Sequence, residues 1–415
     1  MTEQVDTVIV GGGQAGLSVS YFLSQQARDH VVLEQAAQAG EAWRNHRWDS
    51  FVLNTPNWAT RLPGAKYQGD DPDGFMPRDQ IVQYFEQYVA RFKLPVRFGV
   101  QVTAVEPKDG GYLVTTSSGM YQAANVVVAT GSFQRPRIPA FSANLPPDIK
   151  QLHSGDYRNP RALPPGAVLV VGSGQSGCQI AEELYLSGRK VYLCVGSAGR
   201  LPRRYRGKDI AWWSDKTGFY DRTVEQLPSP KAKFAGNPQF SGTRGGHALN
   251  LHQFARDGVV LLGHLQNIQG PKITLASDLK ENLAKADTFE AEMVSMIDAY
   301  VERSGLDVPA EKLPELRDGY DAEVILELDL EAAGITSVIW AIGYTFDYSL
   351  VKLPILDADG YPLQRRGITD YPGLYFVGLN WLYKFKSVLL FGVGEDAEFV
   401  ASEIMARKPQ RVDIA

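Results

Sequence analysis

The tightest constraint in this chain is a glycine pattern that occurs twice, each time after a β-branched run and before a helical segment. Gly11-Gly-Gly13-Gln-Ala-Gly16 follows the run Val5 to Val10, and Gly172-Ser-Gly174-Gln-Ser-Gly177 follows Val168 to Val171. In a strand-loop-helix unit the first two motif glycines allow a tight turn and close approach of a pyrophosphate, and the third lets helix meet strand. The helix N-terminus adds free N–H groups and a positive dipole end. Gly11, Gly13, Gln14, Ala15 and Gly16 are therefore one candidate dinucleotide cradle, and Gly172, Gly174, Gln175, Ser176 and Gly177 are a second. A glycine pattern alone equally describes a tight turn with no ligand; the full strand-loop-helix-strand context favours a nucleotide.

What closes the second strand of each unit differs. In the first it is Glu34, a carboxylate able to accept both ribose hydroxyls. In the second the strand ends Cys194-Val195-Gly196-Ser197 with no acid, and Arg200, Arg203, Arg204 and Arg206 follow. A carboxylate there would repel a ribose 2′-phosphate and guanidinium groups would pair with one, so NADPH is expected over NADH, with NADH still open. The competing reading of these arginines is a solvated basic face.

Short β-branched runs at Thr7 to Val10, Val31 to Glu34, Asn125 to Ala129, Val168 to Val171, Val191 to Val195, Val338 to Ile342 and Leu374 to Val377 alternate with longer periodic segments. This is α/β patterning with buried parallel strands. Ala15 to Gln26 and Ser176 to Ser187 read as crossover helices, and Asp278 to Ser304 as a long helix, while Arg244-Gly-Gly-His247 reads as loop. Prolines 136, 139, 146, 147, 160, 164 and 165 mark a linker. The expected fold is α/β with two Rossmann-like dinucleotide-binding domains in a glutathione-reductase-like plan. The first is discontinuous, over 1–158 and 331–415, because the strands at Val338 to Ile342 and Leu374 to Val377 lack a nucleotide motif and are expected to return to it. The second, 159–330, is inserted and carries a helical and loop insertion.

A chain of 415 residues, 44% hydrophobic and 21% charged, exceeds one ordinary core and is neither disordered nor low in complexity. Its net charge of -5 argues against a nucleic-acid partner. The two cysteines, Cys178 and Cys194, are too few for a disulfide framework or structural zinc, and no Cys-x-x-Cys occurs. They are expected to be packing residues, which speaks against a disulfide reductase. His247 and His252 lack the partners of a metal site, so no metal is expected. No basic leader and no membrane-spanning apolar stretch is read, and a cytoplasmic protein is expected.

With these motifs in place, the sequence resembles the class B flavin-dependent monooxygenases: flavin-containing monooxygenases, YUCCA-type enzymes and Baeyer-Villiger monooxygenases. The carriers are the first glycine loop, Glu41-Ala-Trp43-Arg44 with Trp48-Asp-Ser-Phe51, Leu53-Asn-Thr-Pro56, Ala129-Thr130-Gly131 with Pro136 and Pro139, the second glycine loop, Trp340-Ala-Ile-Gly-Tyr344 and Gly373-Leu-Tyr-Phe-Val-Gly378. The family element Phe-x-Gly-x-x-x-His-x-x-x-Tyr is half kept: His153 and Tyr157 are present, with Pro147 and Ile149 at the Phe and Gly positions. Trp340 and Ile342 likewise replace Phe and Thr in Phe-Ala-Thr-Gly-Tyr. The chain is thus similar to a divergent bacterial subgroup.

The resemblance implies FAD in the discontinuous domain and NADPH in the inserted one. It places Trp43 and Arg44 along the flavin, Thr130 and Gly131 in its cradle, Asn54 near flavin N5, and Gly378 and Asn380 by the ribityl chain. His153 and Tyr157 fall at the join between domains, as candidate catalytic residues or as shapers of the nicotinamide site. The implied reaction is reduction of FAD by NADPH, addition of dioxygen at flavin C4a, and oxygen transfer to a small organic substrate. Nitrogen or sulfur is the first-choice acceptor and a Baeyer-Villiger insertion the second. A flavin reductase or oxidase without oxygen transfer, and a non-catalytic dinucleotide-binding protein, are the competing readings. A homodimer is compatible with all three.

Overall fold

The computed structural model of the chain describes residues 2–407. The first part runs β1 (Thr2–Val10), α1 (Gln14–Gln25), β2 (His30–Glu34), α2 (Arg78–Phe92), β3 (Val96–Phe98), β4 (Val102–Lys108), β5 (Gly111–Thr116) and β6 (Gly119–Val128). The second part contributes β7 (Lys150–His153), β8 (Ala167–Val171), α3 (Gln175–Leu186), β9 (Val191–Cys194), β10 (Val260–Leu262), α4 (Leu279–Ser304) and β11 (Ile335–Trp340). The chain then forms β12 (Leu374–Phe376) and α5 (Val393–Ala406).

These strands form two main sheets. The first has the order β3-β2-β1-β6-β5-β4, with β12 pairing in parallel on β6; β3, β2, β1 and β6 are mutually parallel and β4 to β6 an antiparallel meander. The second, β7-β11-β8-β9-β10, is parallel throughout. The central strands are buried on both faces, as in Val8-Ile9-Val10 and Ala167 to Val171, so they read as unbroken apolar runs rather than as alternation. Helices cover the sheets; α1 packs on α5.

One strand lies elsewhere than the sequence indicates. The run at Val338 to Ile342 does not return to the first sheet: as β11 it sits between β7 and β8 in the second, with Val338 opposite Leu169 and Gln151. The physical reason is a repeat hidden by substitution. The first glycine loop is braced by the turn Ala129-Thr130-Gly131 at the end of β6, and the second by Ala341-Ile342-Gly343 at the end of β11. The Ala129 N–H donates to Val10 O at 2.9 Å, and the Ala341 N–H donates to Val171 O at 2.8 Å. Each glycine loop needs that neighbouring strand. Leu374–Phe376 does pair with β6 in the first sheet.

The chain passes between the sheets at Arg135–Pro136 and returns at Tyr344–Thr345, and these two crossings pair as an antiparallel ribbon. An ion pair between Arg135 and Asp347 ties them further.

Candidate functional site

The two glycine loops are built alike. Gly11 and Gly172 take φ +107° and +104°, and a Cβ on either would lie 2.6 Å from the carbonyl oxygen of Ala129 or Ala341. A Cβ on Gly16 or Gly177 would drive into the carbonyl of Gly11 or Gly172, so the third glycine is fixed by helix-strand contact. At Gly13 and Gly174 nothing of the protein lies within 4 Å of where a Cβ would be. Both are N-caps of uncapped helices, α1 and α3, which leaves first-turn N–H groups facing open space. An open position that is nonetheless glycine fits a ligand backbone passing there.

Glu34 ends β2 against the first loop, accepting from Gly12 N at 2.6 Å and Ala36 N at 2.8 Å. Two donors hold the carboxylate at the mouth of the cradle. Thr130 accepts from Gln134 at 2.7 Å, and Gly131 has φ +76° with no protein atom near its missing side chain. A Cβ at Gly378 would lie 2.6 Å from Ala15, so β12 can approach the start of α1 only as glycine. The carbonyl of Asn380 accepts from Tyr361, and its side chain has no bond among the described residues. Helix α5 begins at Val393 with no side-chain cap; its first-turn Glu395 is drawn to Lys384 and Lys386, and Asp396 is buried, with its pKa raised by that burial.

Trp43 and Arg44 sit on a short helical turn entered through Gly40, which is left-handed. Trp43 is half-buried against Phe51, with ring centroids 5.9 Å apart. Arg44 bonds Glu86 at 2.6 Å, yet its Nε is buried without a partner, an orphaned donor of the kind a bound anion or carbonyl satisfies. Arg47, which the sequence reading missed, is half-buried with no carboxylate partner among the described residues. Its guanidinium lies 5.2, 5.4 and 5.6 Å from the rings of Trp43, Phe51 and Phe133, and burial lowers its pKa. The dinucleotide groups proposed from the sequence thus fit the residues present.

Asn54 lies where the two halves meet. Its Oδ1 accepts from Gln179 on α3 at 2.8 Å, and its carbonyl accepts from Arg203 at 2.6 Å. Gln179 was not singled out in the sequence; its position two residues past Gly177 was the available signal.

His153 and Tyr157 are both buried and hydrogen-bonded within the protein. His153 is 1% exposed; its Nδ1 accepts from the Gly155 N–H at 3.1 Å, so Nε2–H donates to Gly343 O at 3.0 Å. Burial lowers its pKa and the ring stays neutral, packed edge-on to Tyr344 beside the inter-sheet ribbon. Tyr157 is fully buried and donates to Glu183 at 2.8 Å, its pKa pushed up by burial and by that carboxylate.

The arginines after the second strand are likewise committed elsewhere. Arg200 is buried between Asp287 at 2.8 Å and Glu290 at 2.6 Å, and Arg203 is held by Asp209 at 2.6 Å. Arg204 donates to the carbonyls of Gly245 and Gly246, and Arg206 pairs with Asp298 at 2.7 Å. These bonds tie the 199–206 segment to α4 and its neighbours and leave Arg200 and Arg203 paired to carboxylates. The 244–247 segment forms a 3-10 turn in a short antiparallel ribbon, and its His247 meets Glu182 at 2.7 Å. His252 is buried, 3.2 Å from Asp287, as a packing histidine.

A mixed and a parallel sheet, each ending in a matched glycine turn, with a hydrogen bond from Gln179 to Asn54 between the two parts of the chain, define a mixed α/β oxidoreductase of the glycine-loop type. The family model for pyridine nucleotide-disulphide oxidoreductases matches residues 8–209. The chain is 35% identical over 407 residues to the "Uncharacterized oxidoreductase CzcO-like" of Geobacillus kaustophilus, covering 98% of this chain and 99% of that one. It belongs to this CzcO-like oxidoreductase family. It is also 30% identical over 234 residues, about half of each chain, to the probable indole-3-pyruvate monooxygenase YUCCA3 of Arabidopsis thaliana. In fold it matches a flavin-containing monooxygenase from Stenotrophomonas maltophilia, with TM-score 0.67 and 20% identity over 98% of this chain and 99% of that one. No helix among the described residues is long and apolar enough to cross a membrane.

Proposed function

We propose that the chain is an NADPH-dependent FAD monooxygenase that transfers oxygen to a small organic substrate, with a nitrogen or sulfur acceptor ahead of Baeyer-Villiger insertion. The observation that carries this reading is the pair of matched glycine loops, with Gln179 on the helix of the second bonded to Asn54 in the N-terminal part of the chain. FAD belongs on the first, where Glu34 would take its ribose diol, the uncapped start of α1 its pyrophosphate, and Arg44 Nε an oxygen of the cofactor. The nicotinamide nucleotide belongs on the second. The half-length likeness to a monooxygenase named for indole-3-pyruvate supports the oxygenating reading.

Bound FAD supplies hydride acceptance and dioxygen activation. The chain's own residues orient and exclude water. Asn54 is held from both sides, by Gln179 on its side chain and Arg203 on its carbonyl, so its remaining side-chain N–H groups are presented in a fixed direction. An amide offers a hydrogen bond without an acidic proton, which suits a site that must hold a reactive oxygen species. Trp43, Phe51 and Phe133 keep the surroundings of Arg47 apolar and strengthen its field on any anionic charge nearby.

The test is reconstitution with FAD, anaerobic reduction with NADPH, and rapid mixing with oxygen in the presence of candidate amines and sulfides. The reading expects NADPH to bleach the flavin and labelled oxygen from O2 to appear in product. Rapid reduction with stoichiometric hydrogen peroxide and no labelled product would make it an oxidase instead.

A further inference from the structure

The committed arginines leave open what reads the adenosine 2′ position on the second fold, and the shared register of the two folds locates it. Val10 lies opposite Leu33 and Val171 opposite Cys194, and the loop glycines Gly11 and Gly172 donate to Leu33 and Cys194 at 2.9 and 3.1 Å. Val195 therefore stands where the first fold has Glu34. Ser173, matching Gly12, accepts from the Gly196 N–H at 2.9 Å, whereas in the first fold the side chain of Glu34 accepts from the Gly12 and Ala36 N–H groups. On the third strands Leu33 faces Arg97 and Cys194 faces Leu262, so Gly99 of the first fold corresponds to His264 of the second. The register that supplies the first fold with a carboxylate and no cation supplies the second with an imidazole and no carboxylate.

That imidazole is held for the task. Asp278 accepts from the His264 backbone N–H at 3.0 Å and bonds its Nδ1, so the carboxylate is turned toward His264 and fixes the ring. Burial opposes the charge of Asp278, but these bonds outweigh it and hold the carboxyl low, so Asp278 stays ionised. The ring's Nε2 has no partner among the described residues, points to within 3.6 Å of where a Gly196 Cβ would be, and belongs to a side chain 52% exposed. With Nδ1 directed to that carboxylate, Nε2 is the ring atom left facing the Gly196 turn, where an anionic group of a bound nucleotide would meet it.

We propose that His264, oriented by Asp278, is the residue that recognises the 2′-phosphate of the nicotinamide cofactor and sets the preference for NADPH over NADH. The proposal rests on the reading that the second glycine loop binds the nicotinamide nucleotide.

Isothermal titration of the FAD-loaded protein with NADP⁺, NAD⁺ and 2′,5′-ADP separates the two ideas. His264→Gln, a neutral replacement at a half-exposed position, is expected to weaken NADP⁺ and 2′,5′-ADP about tenfold and NAD⁺ less than about twofold. Asp278→Asn is expected to weaken NADP⁺ in the same selective manner. Undiminished NADP⁺ binding by His264→Gln, or equal losses for NADP⁺ and NAD⁺, overturns the assignment of His264 alone. A wild-type protein that binds none of the three ligands overturns the parent reading.

Discussion

Gln179 Nε2 donates to Asn54 Oδ1 across 2.8 Å, joining the helix of the second glycine loop to the segment around Leu53–Pro56. The bond makes the direction of Asn54 depend on the second fold being in place. Gln179→Ala removes the donor and frees the amide to rotate, at a cost of about 1 kcal/mol or somewhat more in positioning. The variant should keep its FAD and lose roughly tenfold in the rate of NADPH-driven reduction, read by stopped-flow absorbance. An unchanged rate would remove Asn54 from the site.

Glycines 13 and 16 separate ligand contact from packing. Ala at Gly13 meets no protein atom and takes an ordinary extended conformation, so Gly13→Ala should fold with unchanged Tm and bind FAD poorly. Ala at Gly16 collides with the Gly11 carbonyl, and Gly16→Ala should lose about 3 kcal/mol or more of stability as helix and strand are forced apart. Flavin absorbance per chain and thermal melts distinguish the two outcomes.

Arg200 is predicted to act on stability rather than on cofactor choice. It is only 5% exposed and pairs with two carboxylates, so Arg200→Ala strands Asp287 and Glu290 and should cost about 3–5 kcal/mol in urea unfolding. The ratio of NADP⁺ to NAD⁺ affinity in the surviving folded fraction should not change. A selective loss of NADP⁺ binding would return Arg200 to the 2′-phosphate.

The same cluster sets an acid limit. Burial opposes ionisation of Asp287, but His252, Tyr320 and Arg200 outweigh it and lower its pKa from 3.8 to about 2. A folded-state value below the unfolded one stabilises above the ordinary carboxyl range, and that contribution is lost as pH falls through about 2. With 31% of its side chain open to solvent, the amount is about 1–2 kcal/mol. Wild-type stability should therefore drop between pH 4 and pH 2 by more than that of Asp287→Asn, measured by urea midpoints at each pH.

Neither cysteine is set up for thiol-disulfide exchange. Burial pushes the Cys178 thiol up and Cys194 up to about 12, far from the thiolate that such chemistry needs. Native protein should be inert to a chromogenic disulfide reagent. Cys178→Ser and Cys194→Ala should each retain NADPH-driven flavin reduction within about fivefold, the rate equivalent of about 1 kcal/mol of repacking. Rapid reaction of both thiols in the native protein would contradict their burial.

What was legible in the sequence was local. Gly11 to Gly16 and Gly172 to Gly177 announce their turns because only glycine survives the contacts those turns make, and Glu34 closes its strand in the place the first turn requires. The long helix at Leu279–Ser304 and the edge strand at Leu374–Phe376 are visible from periodicity and from short apolar runs. None of this needs knowledge of what lies far along the chain, because backbone sterics and the pattern of burial act within a few residues.

What only the tertiary structure decided was partnership. Strand Ile335–Trp340 joins the second sheet because Ala341 must brace Gly172, a pairing across 169 positions that substitution at Ile342 concealed. The arginines after Cys194 were read as free cations, and carboxylates arriving from α4 consumed two of them, Arg200 and Arg206. His264 went unnoticed because its meaning comes from the strand beside it and the aspartate behind it. A charge reports its task only when its neighbours are known: Coulomb energy depends on distance and burial, and both are set by the folded chain rather than by position along it.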